Sequence, residues 1–153
     1  MMRLWLLLIA SILLQASCTD GVIYHDTRSL EGAKWDKEDN MVFEVFVDDT
    51  LALHELYIDI RNTTDYGYSN LYLFMDIRFP GGRLLRDTIE CVLAARDGSW
   101  KGRGLGRIKS NRFLFRDDVW FPESGTYYFT VTHGMRYDTL PGISDVGLRI
   151  ERK

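Results

Sequence analysis

Cysteine is scarce in this sequence. Only Cys18 and Cys91 occur in 153 residues, which excludes a disulfide-dense scaffold. An excess of one charge is missing as well: 19 Lys and Arg stand against 22 Asp and Glu, for a net charge of −3. A general nucleic-acid binder would show a basic excess or stripe, so that class is set aside. Prolines and histidines number 3 each. The apolar run Leu4–Leu14 (LWLLLIASILL) falls well short of the roughly 20 residues a spanning helix needs. What is present is a composition of 46% hydrophobic, 27% charged and 13% aromatic residues. That mixture describes one folded domain rich in rings and excludes a disordered tail.

The N-terminal segment reads as a processing signal. Arg3 supplies a positive charge, Leu4–Leu14 an apolar core, and Ala16-Ser17 the small residues before a cut. Cys18 follows at once, so the ending LLQASC resembles a bacterial lipoprotein signal whose cysteine is lipidated and becomes the new N-terminus. The expected division is a signal peptide over 1–17, a short tether over 18–21 and a β-domain over 22–153. Lipid on Cys18 anchors the chain to a membrane without spanning it, since several acyl chains at about 0.8 kcal/mol per buried CH₂ hold stably. Spacing alone leaves a Cys18–Cys91 disulfide open; modification of Cys18 leaves Cys91 as a small apolar side chain. Val22-Ile23-Tyr24 reads as the first ordered segment. The chain between it and Cys18 is three residues, about 10 Å when extended, which keeps the domain close to the membrane surface.

Period-two alternation dominates the rest. Met41–Val47 (MVFEVFV) is nearly all apolar, which predicts a strand covered on both faces. Leu56, Ile58 and Ile60 alternate with Tyr57, Asp59 and Arg61. Leu71, Leu73, Met75, Ile77 and Phe79 share one face of Asn70–Phe79. Leu85, Ile89, Cys91 and Leu93 follow the same period, and so do Tyr127, Phe129 and Val131, and Val146, Leu148 and Ile150. Phe79-Pro80-Gly81-Gly82 and Arg96-Asp97-Gly98 are turns. Short helical turns are expected only near Ser29–Lys34 or Met135–Leu140. Seven or so strands without intervening helices predict a single antiparallel β-sandwich, immunoglobulin-like or jelly-roll-like. Leu71, Leu73, Met75, Ile77, Phe129, Val131, Leu148 and Ile150 are expected to share its core.

Patterns that carry chemistry are incomplete. His25, His54 and His133 are scattered, and Ile58 stands where a zinc-protease helix starting at His54-Glu55 needs its second histidine; His54 reads as a solvated strand residue and not as a metal ligand. Trp100 occupies the nucleophile position of Gly98–Gly102. Gly102–Gly106 lacks the Lys-Ser/Thr ending of a phosphate cradle, so its glycines read as a bulge or a close backbone approach. Lys101, Arg103, Arg107, Lys109, Arg112 and Arg116 form one basic concentration, read as a solvated face. Trp35, Tyr66, Tyr68, Trp100 and Trp120 lie in or beside loops. Edge filling accounts for them by area, and the functional alternative is an exposed surface for a partner or a sugar. No catalytic set, metal site or cofactor site emerges.

The order of several segments carries a resemblance. NLYLFMDIRFPG (Asn70–Gly81), DTIECVLA (Asp87–Ala94), GSWKGRGLGRI (Gly98–Ile108), FPESGTYYF (Phe121–Phe129) and GMRYDTLPGISDVGLRIE (Gly134–Glu151) resemble the gliding-motility lipoprotein GldH family of the Bacteroidota. The resemblance implies a lipid-anchored envelope protein associated with gliding machinery and the linked type IX secretion system, with Cys18 as the lipidated residue and no enzymatic activity or cofactor. The resulting expectation is a non-catalytic interaction protein at a membrane, facing the periplasm, with other envelope proteins as partners. A carbohydrate-binding module using the loop aromatics is the alternative.

Overall fold

A computed structural model describes residues 21–153; the signal segment, Cys18 and most of the tether lie outside the described residues. Ten strands run in chain order: β1 Val22–Ser29, β2 Lys34–Asp36, β3 Met41–Val47, β4 Leu53–Thr63, β5 Asn70–Arg78, β6 Leu84–Val92, β7 Ile108–Trp120, β8 Gly125–His133, β9 Thr139–Pro141 and β10 Ile143–Arg152. A 3-10 turn at Glu31–Ala33 fills the expected helical position after Ser29. The second candidate, Met135–Leu140, instead bends into β9.

All pairings are antiparallel. One four-stranded sheet has the order β1-β10-β4-β7, the other β3-β8-β5-β6, and β2 pairs with β9. Setting the short β2 and β9 aside, the orders become first-eighth-third-sixth and second-seventh-fourth-fifth. That is the jelly-roll arrangement of two Greek keys, so the second of the two expected sandwich forms is the one adopted.

The core lies between the sheets, where the period-two rows meet. Leu71, Leu73, Met75, Ile77, Phe129, Val131, Leu148 and Ile150 are all buried, as the alternation requires. Two strand readings need correction. Met41–Val47 is not covered on both faces: β3 is an edge strand, and Val42 and Phe46 stand 43% and 68% exposed. Leu85 likewise lies on the edge strand β6 and is exposed, although Ile89, Cys91 and Leu93 on the same period are buried.

The connections divide the sandwich into two unlike ends. Short turns, 48–52, 79–83 and 121–124, gather with Gly21 and Lys153 at one end. Longer connections, 30–40, 64–69, 93–107 and 134–142, gather at the other and carry the β2–β9 pair.

Candidate functional site

The five loop aromatics separate between these ends, and most go inside. Trp35 on β2 is fully buried opposite Leu140, donating its Nε1–H to the Asp39 carbonyl at 2.9 Å. Tyr66 is also buried; its hydroxyl donates to the Asn70 carbonyl at 2.9 Å. Both are corrected from surface candidates to plugs of the long-loop end, because rings of that size fill the mouth that the folded-back loops create. Trp100 packs partly against the same core. Tyr68 remains at the surface, with its ring 6.5 Å from that of exposed Tyr137 at an interplanar angle of 30°. Trp120 alone lies at the short-turn end, 58% exposed, with its indole N–H donating to the Thr50 carbonyl.

The structure corrects the solvated reading of His54. His54 and His133 are buried, each with Nδ1 lacking a hydrogen-bond partner. His54 meets Phe121 edge-on at 5.2 Å, and His133 meets Trp35 at 5.4 Å. Burial holds both imidazoles below the ordinary histidine value. Strand parity carried the signal: His54 is in step with Leu56 and Ile58, and His133 with Val131 and Phe129. Cys91 is sealed as well, its thiol pushed up to about 12 by burial. Among the described residues, no three His, Cys, Asp or Glu side chains are grouped to hold a metal ion.

Half of the basic concentration is neutralised by ion pairs. Arg112 forks onto Asp59 at 2.7 and 2.9 Å, Arg116 reaches Asp87 at 2.7 Å, and Arg107 pairs with Asp65. Lys109 donates to the Gly104 carbonyl at 2.8 Å. Gly104 sits at φ +141, where an added Cβ would come within 2.5 Å of the Ile108 carbonyl oxygen. This is a close backbone approach, as expected, and not a phosphate cradle. The cleft beside it is lined by charges of both signs, among them Asp59, Glu90, Lys101, Arg103 and Arg112.

Edges distinguish one strand from the rest. β1 points Asp26 and Arg28 to the inner side, in register with Leu148 and Val146 and ion-paired at 2.9 Å. β6 turns Asp87 inward, opposite Met75, where Arg116 of the other sheet meets it. β7 sets Asn111 opposite Ile60, and Arg103 and Ser110 exchange backbone bonds of 2.9 and 2.8 Å across its flank. Inward charge and loop cover are devices that block strand addition. β3 carries no inward charge of its own and is covered only near Val42 and Phe43, where Arg28 of β1 lies over the Phe43 ring at 5.6 Å: its inner row, Phe43, Val45 and Val47, is wholly apolar, and its outer row is Val42, Glu44 and Phe46. Only the Val42 carbonyl is occupied on the free side, by an Arg28 N–H at 3.3 Å. By the two-residue period of the ladder, the backbone groups of Glu44 and Phe46 point to that same side.

The GldH lipoprotein profile matches residues 22–150. The chain belongs to the GldH lipoprotein family. The gliding motility lipoprotein GldH homolog of Christiangramia forsetii is 36% identical over 151 residues, covering 94% of this chain and 92% of the relative. The gliding motility lipoprotein GldH of Flavobacterium johnsoniae is 32% identical over 155 residues, covering 97% and 95%. Among solved structures, the TmCBM61 module in complex with beta-1,4-galactotriose resembles it loosely, with a TM-score of 0.36, 12% identity and coverage of 84% of this chain and 88% of that one. Family membership makes this a gliding-motility-associated lipoprotein of the cell envelope, anchored at a membrane. No helix among the described residues is long and apolar enough to cross one.

Proposed function

We propose that this GldH-family domain is a non-catalytic docking component of the gliding and type IX secretion-associated machinery. Lipid on Cys18 holds it at the membrane, facing the periplasm, and an extended segment of an envelope protein pairs with the free edge of β3. The observation that carries the reading is the unprotected edge: of the four edges of the two four-stranded sheets, β3 alone has an all-apolar inner row. Strand addition gives affinity through backbone bonds and specificity through alternate side chains. Its non-catalytic character is supported by where most reactive groups lie, since His54, His133 and Cys91 are inside the core, while exposed His25 meets Asp59 at 3.5 Å.

Charge selects the partner. Glu44 is exposed between Val42 and Phe46 and makes no ion pair among the described residues. A second copy laid antiparallel so that Val42 meets Phe46 would set Glu44 against Glu44, a like-charge opposition that disfavours self-pairing. The segment that fits has apolar residues on either side of a basic one. The test is photocrosslinking from positions 42 and 46 of the full lipoprotein in native envelopes. We expect crosslinks to an extended segment of one envelope protein, lost in Glu44→Arg with the melting temperature unchanged. Crosslinks indifferent to Glu44→Arg, or joining two copies of this chain, overturn the reading. Mass spectrometry of the mature N-terminus tests the anchor, and an unmodified Cys18 refutes it.

A second reading, carbohydrate binding, is favoured by the exposed Tyr68 and Tyr137 rings, tilted 30° to each other at the long-loop end. It requires that Tyr137→Ala abolish retention on an envelope polysaccharide column while leaving the β3 crosslinks intact.

A further inference from the structure

The end of the sandwich from which residues 1–20 lead off also carries exposed apolar side chains held in fixed positions. The Gly21 carbonyl accepts the Arg152 N–H at 2.5 Å, so the fold already grips the chain there. Beside it, Lys153 donates its N–H to the Leu53 carbonyl at 2.9 Å. The turn from β3 to β4 lifts Leu51 to 90% exposure. That turn is built: Asp49 Oδ1 accepts the Leu51 and Ala52 N–H groups at 2.9 and 3.2 Å, and the Trp120 indole N–H closes on the Thr50 carbonyl. Trp120 in turn pairs across the ladder with Leu53, which is 44% exposed. One exposed leucine needs no explanation. A leucine at a braced turn tip beside a hydrogen-bonded tryptophan and a second leucine makes a small apolar platform.

Three carboxylates around this platform have cationic partners, whereas Asp48 and Glu123 in the same turns meet only Ser124 Oγ and the Gly81 N–H. Arg152 pairs with Asp49 at 2.5 Å, and Lys153 Nζ reaches Asp117 and Asp118 at 2.8 and 2.7 Å. These pairs set two cations against three carboxylates, which lowers without cancelling the repulsion that bare carboxylates would offer an anionic surface.

We infer that this end, led by Leu51 and Trp120 with Leu53 behind them, seats in the headgroup layer of the membrane that holds the protein. The occupant follows from the chain's own path. Only Thr19 and Asp20 separate Cys18 from Gly21, and three Cα steps reach about 10 Å. Lipid on Cys18 therefore brings this end, and no other, against the bilayer surface; the inference rests on that anchor. Tryptophan with a satisfied N–H and an apolar ring is suited to the boundary between water and acyl chains. Seating there fixes the tilt of the sandwich and turns the Tyr68–Tyr137 end away from the membrane.

The experiment uses the full lipoprotein in vesicles of phosphatidylcholine and phosphatidylethanolamine carrying acyl chains brominated near the headgroup, with Cys18 lipidation verified by mass spectrometry in the same sample. Trp35 is buried and Trp100 is at the opposite end, so headgroup-level quenching reports Trp120. At least half of the Trp120 emission is expected to be quenched, and the quenchable fraction disappears in Trp120→Phe. Leu51→Ser with Leu53→Ser lowers the quenching at least threefold, whereas Tyr137→Ser leaves it unchanged; equal melting temperatures show that all variants fold. Lipidated protein whose Trp120 is not quenched overturns the inference and leaves the anchor standing. An unlipidated Cys18 removes the anchor and the inference together. Crosslinking of position 51 to a protein in native envelopes, without quenching in vesicles, assigns the platform to a protein and also overturns it.

Discussion

Trp35 and Trp120 lie at opposite ends of the sandwich, and the connections around them differ more than the residues do. Trp35 sits beneath the 30–40 and 134–142 segments, fully buried between Leu140 and the edge-on ring of His133. Trp120 sits beside the 48–52 and 121–124 turns, which are too short to fold back over it. A long connection on a jelly roll must bury something of its own, because its backbone needs partners and its length costs chain entropy. Here it recruits aromatics as a lid. The short turns bury Phe121 and pack Phe79 against Tyr127, yet leave Leu51 and Trp120 in contact with the surroundings. Both ends thus close their core with rings, but only the short-turn end still presents Leu51 and Trp120 outward.

Removing the lid gives the largest expected effect. Trp35→Ala deletes a fully buried indole and should destabilise the domain by about 3–5 kcal/mol, whereas Trp120→Ala should cost under about 1 kcal/mol as a half-exposed ring. Urea unfolding of both variants measures the pair. Comparable losses at the two ends would break the comparison. Backbone strain offers a second contrast, this time within the long-loop end. Gly142 holds φ +97, and a Cβ there would stand 2.7 Å from Tyr66 Cα, while Gly98 at φ +85 has open space around it. Gly142→Ala should therefore cost about 2–4 kcal/mol, clearly more than the roughly 1–2 kcal/mol expected for the left-handed backbone alone in Gly98→Ala.

Acid probes both ends at once, with one buried histidine near each. Burial keeps His54 and His133 below the ordinary histidine value in the folded chain, and unfolding returns them to it. The unfolded state consequently binds more protons as pH falls below about 6.5. The stability that neutral histidines allow is complete above that pH and is lost as the medium becomes more acidic. Each histidine contributes a slope of at most about 1.4 kcal/mol per pH unit. His54→Gln and His133→Gln should each flatten the fall in melting temperature between pH 7.5 and 5, and the double variant should flatten it further. A pH profile unchanged by both substitutions would show that other groups govern acid sensitivity.

These contrasts also mark where the sequence was legible. Central strands could be read, because β4, β5, β8 and β10 each bury one parity and the alternation states it directly. His54 and His133 followed that parity, and only the polarity of His54 suggested solvent. Edge strands were harder. Val42 and Phe46 look like core residues in MVFEVFV, and nothing local announces that β3 has a neighbour on one side only; sheet order is a long-range property. The sequence leaves Trp35 and Tyr66 between edge filling and an exposed surface for a related reason. Their burial depends on loops returning over the end of the sandwich, and loop composition does not encode that path. The family, by contrast, was readable from segment order, and the putting of lipid on Cys18 remains a proposal carried by the LLQASC ending.

The smallest expected effect on stability belongs to Leu51. At 90% exposure it buries almost nothing in the domain, so Leu51→Ser should change unfolding free energy by less than about 0.5 kcal/mol. The turn beneath it should persist, since Asp49 supplies the caps to its backbone and neither depends on the leucine side chain. A neutral stability effect is what makes the variant informative: any change in the behaviour of the membrane-bound protein then comes from a contact outside the fold. Asp49→Ala inverts the experiment by keeping Leu51 and releasing the turn, at a cost of about 0.5–2 kcal/mol by analogy with a lost capping carboxylate. If the platform works through its fixed shape, Asp49→Ala should weaken headgroup-level quenching of Trp120 although every apolar side chain is present. If exposed area alone matters, quenching should survive Asp49→Ala and fall only with Leu51→Ser.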